Sequence, residues 1–249
     1  MEKVIFTARR ELDYRTNEAY KSLRTNVQFC GSDVSVISFT SCTPNEGKSS
    51  VSFNLAVSFA ESGRKVILID ADMRKSVLAG RYQVGSVEAG LAHYLAGQKS
   101  LDEVCMETDI KGMDIIFSGP YVPNPAELLE NSNFHTLVDY CREHYDYVLI
   151  DTPPLGSVID SAIVARDVDG AVLVVEAGAI SYHFVQNVKK QLEKSNVRLL
   201  GAVLNKMQMG GGKYGYGKYG YGKYGYGKYG YGQYGKYGYG QYGKREEDF

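Results

Sequence analysis

Six short runs of apolar, mostly β-branched residues recur along the chain, and each one predicts a buried strand. They occupy residues 34–40, 65–70, 113–117, 147–151, 171–176 and 199–204. Stretches of helical periodicity lie between them. Strands that alternate with helices need crossover connections, which favour a mostly parallel sheet with helices on both faces. A chain of 249 residues is long enough for one such α/β domain with a well-buried core, whereas two domains would be cramped.

The segment before the first strand predicts an amphipathic helix. Residues 13–29 place Ala19, Leu23 and Val27 at helical spacing among polar and basic neighbours. We therefore divide the chain into an N-terminal segment, a core domain and a C-terminal segment. Their predicted ranges are residues 1–33, 34–209 and 210–249.

Polar residues follow four of the predicted strands. Ser41, Asp70, Asp151 and Asn205 stand at or just past strand ends. Parallel α/β sheets bind their ligands at the carboxyl ends of the strands. These four side chains are therefore predicted to converge on one edge of the sheet.

The residues after the first of these strands predict a phosphate-binding loop that opens a helix. The loop is Cys42, Thr43, Pro44, Asn45, Glu46, Gly47, Lys48 and Ser49, and we include Ser50 in the predicted nucleotide site. Its amides would face the β-phosphate of ATP, Lys48 would reach the β- and γ-oxygens, and the Ser49 hydroxyl would bind Mg²⁺. Gly47 would permit close approach of the backbone. Cys42 departs from the usual pattern, which has glycine at this position.

Three carboxylates complete the predicted nucleotide site. Asp70 and Asp72 end one strand and Asp151 ends another. A strand-end carboxylate suits magnesium, so Asp151 fits a metal ligand. The pair Asp70 and Asp72 suggests that one lies close to the metal while the other accepts a proton from the attacking group, with the chain turning at Ala71.

The C-terminal segment has a composition unlike that of the core domain. It repeats KYGYG four times from Lys213 and continues as QYGKYGYGQYG, with five lysines and no acidic residue between 210 and 243. Without aliphatic residues to bury, this tail is predicted to be disordered.

The tail is long enough to reach a nucleotide site. Its root-mean-square end-to-end distance would be about 35 Å, so it would reach its own site or a neighbour's. Either its tyrosines are phosphoacceptors or the repeat is only an adhesive low-complexity segment. The candidate acceptors are Tyr214, Tyr216, Tyr219, Tyr221, Tyr224, Tyr226, Tyr229, Tyr231, Tyr234, Tyr237, Tyr239 and Tyr242.

Cysteine usage and hydropathy indicate where the chain would work. Cys30, Cys42, Cys105 and Cys141 are far apart without a C-x-x-C pair, so neither a zinc site nor a disulfide framework is predicted. A reducing cytosol fits this pattern. The sequence shows neither a signal peptide nor an apolar run of about 18 residues, so membrane association is expected only through a partner.

Taken together, the motifs SCTPNEGKSS, ILIDADMRKS, VLIDTPP and EAYKSLRTN, with the tyrosine cluster, resemble one family. It is the bacterial tyrosine kinases of the P-loop type, which regulate capsule and exopolysaccharide synthesis. The resemblance implies transfer of the γ-phosphoryl group of ATP to tyrosines, including those of the tail. Lys48, Asp70 and Asp72 would be catalytic, with Asp70 as the base, and Ser49, Asp72 and Asp151 would hold Mg²⁺. Asn205 would contact the adenine or simply cap its strand, and Arg74 would contact phosphate, form an interface or be structural.

Two departures from the family pattern matter. Asn45 replaces a glycine, but asparagine tolerates left-handed backbone angles. EAYKSLR resembles the family's oligomerisation helix and supplies Glu18, Lys21 and Arg24, with Lys21 where the family has arginine; an ordinary salt-bridged surface helix is the alternative.

The resemblance also implies partners and a location. It implies a ring-forming homo-oligomer, a membrane-anchored activator, protein tyrosine substrates, no nucleic-acid partner, and a cytoplasmic location with recruitment to the membrane. The alternatives are a partitioning or positioning-type P-loop ATPase and a nucleotide-sensing scaffold.

Overall fold

The computed structural model describes residues 3–207, so the predicted disordered tail and its twelve tyrosines lie outside the described residues. The described strands are β1 Lys3–Val4, β2 Val36–Ser41, β3 Val66–Asp70, β4 Cys105–Thr108, β5 Met113–Ile116, β6 Tyr147–Asp151, β7 Gly170–Glu176 and β8 Leu199–Asn205. The described helices are α1 Tyr14–Gln28, α2 Lys48–Glu61, α3 Leu78–Tyr82, α4 Leu91–Leu95, α5 Leu101–Val104, α6 Pro125–Leu129, α7 Ser132–His144, α8 Asp160–Val164 and α9 Tyr182–Glu193.

All eight strands form one sheet in the order β1-β4-β5-β3-β6-β2-β7-β8. Neighbouring strands are parallel except β4 and β5, which are antiparallel. The mostly parallel sheet and the six predicted strands are confirmed, with ends that shift by at most two residues. Sequence periodicity missed β1 because it has only two residues, and β4 because half of its four residues are polar.

Helices cover both faces of the sheet, as predicted. Along β3, Leu68 packs into the cluster that contains residues of α1 and α2, whereas its neighbours Ile67 and Ile69 pack into the cluster that contains residues of α4, α7 and α8. Alternation of side chains along a strand produces this division. It explains why the central strands are apolar throughout.

Helix α1 packs against α2 along a stripe that differs by one residue from the predicted one. The stripe is Tyr20, Leu23 and Val27, of which Val27 is fully buried, whereas Ala19 is exposed. In a helix of 3.6 residues per turn, Tyr20 lies almost in line with Val27, but Ala19 is rotated about 80° away. The predicted helix is therefore confirmed and its predicted Ala19 contact is wrong.

No helix among residues 3–207 is long and apolar enough to span a membrane.

Candidate nucleotide site

The loop between β2 and α2 has the backbone geometry of an anion-binding turn. Gly47 is the N-cap residue of α2 and has φ +93°. Among residues 3–207, no side chain accepts a hydrogen bond as a cap at this end of the helix. Ser50 and Val51 donate their amides to the Gly47 carbonyl at 3.1 and 2.9 Å, so the amides of Lys48 and Ser49 are the ones that we expect to receive an anion. Asn45 has φ +70°, which confirms that asparagine adopts the left-handed conformation here.

The buried side chain of Glu46 holds the loop in shape. One of its oxygens accepts hydrogen bonds from the amide and the hydroxyl of Thr43, the latter at 3.0 Å. The other accepts one from the amide of Glu176 at the end of β7, at 2.9 Å. Both carboxylate oxygens are thus engaged by the protein, so this side chain fixes the shape of the loop.

The end of β8 is fastened to the same loop. The Asn205 side-chain amide donates to the carbonyl of Glu46 at 2.9 Å. Lys206 Nζ donates to the carbonyl of Asn45 at 2.5 Å and pairs with Glu176 at 2.9 Å. The sequence analysis missed Lys206 and Glu176 because both lie outside the recognised motifs.

The predicted charged residues meet at the start of α2. Lys48 Nζ lies 2.9 Å from Asp72 Oδ2, 3.5 Å from Asp151 Oδ2 and 3.3 Å from Ser49 Oγ. All of these side chains are buried. Strands β3 and β6 are neighbours in exact parallel register at their ends, where Asp70 pairs with Asp151, and this pairing gathers the carboxylates.

Burial and mutual repulsion perturb the titration of this cluster. Burial above all, and then the Asp151 charge, raise the pKa of Asp70 to about 7 against the opposing effect of Ser76 and Lys48. Burial likewise raises the pKa of Asp151. Burial alone would lower the pKa of Lys48, but Asp151 and Asp72 hold it above its ordinary value.

The two aspartates of the Asp-Ala-Asp turn have different surroundings. Asp70 is fully buried and accepts hydrogen bonds from the amide of Asp72, at 3.2 Å, and from the hydroxyl of Ser76. Asp72 pairs with Lys48 through one oxygen and accepts the amide of Lys75 at 3.0 Å through the other. The chain therefore turns after Asp70, and Asp72 lies against the predicted phosphate-binding lysine.

One feature of the cluster fits a bound magnesium ion. Asp151 Oδ1 is buried and has no hydrogen-bond partner among residues 3–207. A buried carboxylate oxygen without a partner is costly unless a ligand or water satisfies it. In the described part of the chain, no three His, Cys, Asp or Glu side chains form a ready-made metal cluster. Such a site suits a magnesium ion, which commonly takes only one or two ligands from the protein and others from the phosphates of the substrate.

Arg74 fastens the Asp-Ala-Asp turn to helix α8. Its Nε and Nη2 donate to the two carboxylate oxygens of Asp160 at 2.7 and 2.9 Å, and Asp160 is fully buried. The next residue, Ser161, accepts the hydroxyl of Thr152 at 2.9 Å. Helix α8 therefore contacts both strand ends that carry carboxylates. Of the three roles considered for Arg74, its observed partner matches the structural one.

The remaining predicted loop residues have protein partners. The carbonyl of Thr43 accepts the Ser41 hydroxyl at 2.8 Å, and Ser50 is hydrogen-bonded to Arg81. Cys42 is fully buried, and burial raises the pKa of its thiol to about 12. Cys42 therefore behaves as a small packing residue. Pro44 lies within the loop and is exposed.

Of the predicted oligomerisation residues, two form an exposed pair. Lys21 Nζ lies 2.8 Å from Glu18 on the surface of α1. Arg24 instead donates to the carbonyl and hydroxyl of Ser58 on α2, at 2.6 and 3.2 Å. Their proposed contact with a neighbouring subunit stays a prediction.

Comparison with known proteins now assigns the family. A family model described as an AAA domain matches residues 34–201. Tyrosine-protein kinase CpsD of Streptococcus agalactiae is 41% identical over 201 residues, which cover 81% of this chain and 88% of that protein. The kinase domain of Escherichia coli tyrosine kinase ETK superposes with a TM-score of 0.75 at 36% identity and covers 81% of this chain and 80% of that one.

The chain belongs to the bacterial tyrosine kinases. The predicted family, that of capsular and exopolysaccharide synthesis, the P-loop fold and the enzyme class of protein-tyrosine kinase are thereby confirmed. This bacterial tyrosine kinase shares its fold with septum site-determining protein MinD of Pyrococcus horikoshii, at 25% identity and a TM-score of 0.60 over 69% of this chain and 70% of that one. The lower identity to MinD favours the kinase over the positioning ATPase.

Proposed function

We propose that this kinase binds ATP and Mg²⁺ in the site just described and phosphorylates the tyrosines of its own C-terminal tail. The observation that carries the proposal is the meeting of Lys48, Asp72 and Asp151 at the first turn of α2, where Asp151 Oδ1 has no partner among residues 3–207. Free amides, a lysine and carboxylates are the groups that a nucleoside triphosphate with its metal requires.

Each group then has a task in binding the nucleotide. The amides at the start of α2 receive the β-phosphate, and Lys48 turns from Asp72 to the β- and γ-oxygens. Ser49, Asp72 and Asp151 would hold Mg²⁺ together with phosphate oxygens, and the ion would offset negative charge on the transferred group. Asn205, at the edge of the loop, is proposed to contact the adenine while it supports Glu46.

Asp70 is proposed as the base that accepts the phenolic proton. The tyrosine oxygen forms a bond to the γ-phosphorus as the bond from that phosphorus to the β–γ bridging oxygen breaks, and ADP leaves. A pKa of about 7 suits a group that must exchange protons near neutral pH. Because Asp70 is fully buried and hydrogen-bonded to Ser76, the 71–77 loop must open before a tyrosine can reach it.

We also propose the partners that the family suggests. The exposed Glu18–Lys21 pair on α1 would face a neighbouring subunit in a ring of kinase copies, and Arg24 would support the helix from its inner side. A membrane-anchored activator would recruit the ring from the cytoplasm to the membrane. Protein tyrosines other than those of the tail would be further substrates.

The proposal is tested by locating phosphate on the full chain. Purified protein is incubated with radiolabelled ATP and Mg²⁺, and label is assigned by acid-stable phosphotyrosine analysis. Replacing the twelve tail tyrosines with phenylalanine should remove most self-labelling but preserve phosphorylation of a Tyr/Gly repeat peptide. Lys48→Met should abolish both reactions. Unchanged self-labelling of the phenylalanine variant would refute the tail as acceptor, and free phosphate without phosphotyrosine would favour the ATPase alternative.

A further inference from the structure

Helix α3 packs directly against α2, the helix that begins at the nucleotide loop. The ring of Tyr82, in α3, stacks on the ring of Phe53, in α2, with centroids 3.8 Å apart and 22° between the planes. Phe6 makes edge contacts with both rings, at centroid distances of 4.9 Å to Phe53 and 5.7 Å to Tyr82. All three side chains are buried. Aromatic packing therefore fixes the position of α3 along α2.

The N-terminal segment fastens the end of α3 as well. The amide of Ala8 donates to the carbonyl of Tyr82 at 3.2 Å. The hydroxyl of Thr7 donates to the carbonyl of Gln83 at 2.7 Å. Two separate parts of the chain, α2 and residues 6–8, thus hold the backbone on which Arg81 lies.

This packing places the side chain of Arg81 at the first turn of α2. Its Nη1 donates to the hydroxyl of Ser50. Ser50 comes three residues before Phe53, so the two lie on one face of α2, the face that α3 covers. Among residues 3–207, the other guanidinium nitrogens of Arg81 have no hydrogen-bond partner and no carboxylate pairs with the group. The exposed guanidinium therefore keeps donors for a further ligand.

These donors adjoin the proposed position of the triphosphate. Lys48 is proposed to contact the β- and γ-oxygens, and Ser49 is proposed to bind the metal between them. Ser50 is the next residue along α2, and neither of those two tasks involves the α-phosphate. A guanidinium bonded to Ser50 is therefore expected on the α-phosphate side. Arginine suits such a ligand, because its planar fork donates two parallel hydrogen bonds to phosphate oxygens.

We propose that Arg81 binds the α-phosphate of the nucleotide through the donors that it does not use on Ser50. The inference rests on the proposed function and adds a nucleotide-binding residue outside both the loop and the three carboxylates. It also gives α3 a role. This helix of five residues, fixed on α2, presents one cation to the phosphates.

Nucleotide affinity tests the inference separately from catalysis. The full chain is titrated in Mg²⁺ with ADP and with a non-hydrolysable ATP analogue, and binding is followed by calorimetry. Arg81→Gln should weaken both by the same factor, about tenfold, because a charge-assisted contact to a phosphate that they share is lost. Arg81→Lys keeps the charge without the fork, so its affinities should be intermediate.

Arg64 offers a matched control. It is exposed, lies 3.6 Å from Asp146 and comes just before β3, at the amino edge of the sheet. Arg64→Gln should leave both affinities unchanged. Ser50→Ala distinguishes direct contact from an effect through Ser50. Arg81→Gln should cost about the same factor in that background, whereas it would cost nothing further if Arg81 acted only by positioning Ser50.

Sulfur in place of one non-bridging α-oxygen of ADP locates the contact. For one of the two diastereomers, the loss of affinity on this replacement should be smaller in Arg81→Gln, because the contact that sulfur weakens is already absent. The inference is overturned if the loss is equal in both proteins for both diastereomers, if Arg81→Gln weakens only the ATP analogue, or if Arg64→Gln weakens binding as much.

The failure of the inference is distinguishable from the failure of the proposed function. Normal nucleotide affinity in Arg81→Gln, with phosphotyrosine still formed on the tail, would overturn the inference and leave the proposed function intact. Failure of the unaltered chain to bind either nucleotide would refute both.

Discussion

Gly47 shows how one residue fixes the shape of the nucleotide loop. Its φ of +93° lies where side chains are disfavoured, and an added Cβ would also overlap the side-chain nitrogen of Asn205. Both restrictions fall on the residue that caps the start of α2. The loop can close on a phosphate only because this position has no side chain.

Gly47→Ala should therefore weaken nucleotide binding by about tenfold or more, since relief of the overlap displaces the loop or Asn205. Titration with a fluorescent ATP analogue measures the loss. Gly63→Ala is the control, because Gly63 has φ +86° but no described residue lies within 4 Å of an added Cβ. It should lower stability by about 1 kcal/mol and leave nucleotide affinity unchanged. Equal affinity losses in both variants would contradict the steric explanation.

Residue types predicted local geometry better than distant contacts. Asparagine at position 45 indicated a left-handed residue because that preference is local to the backbone. The partners of Lys206 and Arg74 could not be predicted in this way, since they lie 161 and 86 positions away in the chain. Only the folded sheet brings these partners together.

Helix α8 links the strand ends that carry the catalytic candidates. Asp160 holds Arg74 in the turn after β3, and Ser161 binds Thr152 after β6 and, at 3.0 Å, Thr40 before the nucleotide loop. Five residues of helix thus contact segments that follow or end three neighbouring strands. The spacing of Asp72 from Asp151 depends on this helix.

Asp160→Asn should reduce phosphotyrosine formation by about tenfold or more, because the turn that carries Asp70 and Asp72 loses its charged anchor. Stability should fall by about 1–3 kcal/mol. Nucleotide affinity measured without Mg²⁺ should change little, since the loop amides and Lys48 remain. Initial-rate assays and chemical denaturation provide these measurements.

Two variants control for a general loss of charge. Arg74→Lys keeps one ionic contact but not the bidentate fork, so its activity should be intermediate. Asp139→Asn removes an exposed carboxylate that lies 3.3 Å from His135, and it should have little effect. A wild-type rate in Asp160→Asn would rule out the anchoring role.

Strands were predicted well where they are buried on both faces, because such strands have a continuous run of apolar residues. Strands β3 and β6 are nearly covered by helices and were predicted to within one residue. Strand β4 was missed because Cys-Met-Glu-Thr is short and half polar in pattern. The stripe of α1 was misassigned because Tyr20, an amphipathic residue, was not counted among the apolar positions.

At the scale of the whole molecule, Asp169 connects the starts of β2 and β7 with helix α7 through hydrogen bonds and an ion pair. Its carboxylate accepts the amides of Ser35 and Val36, both at 2.8 Å, and pairs with Arg142 of α7 at 2.6 Å. Burial alone would raise the pKa of Asp169, but these hydrogen bonds hold it below 3.8. The charged form is therefore the one that the folded state favours.

Asp169→Asn should lower the free energy of unfolding by about 1–3 kcal/mol at neutral pH. Because the folded-state pKa lies below the ordinary 3.8, this difference should persist above that pH and shrink as pH falls through the folded-state value. Urea denaturation from pH 7 downward measures it. Arg142→Gln, which leaves the amide contacts intact, should cost less. A difference between Asp169→Asn and the unaltered chain that grew on acidification would contradict the assignment.

Lys206 links nucleotide binding to the modification and the partners of the tail. It lies four positions before the tail and donates to the Asn45 carbonyl in the nucleotide loop. A partner of the tail that changes nucleotide affinity through this contact must have its own affinity changed by nucleotide by the same factor, because linkage is reciprocal. Nucleotide titrations with and without that partner therefore measure the coupling between the tail and the loop.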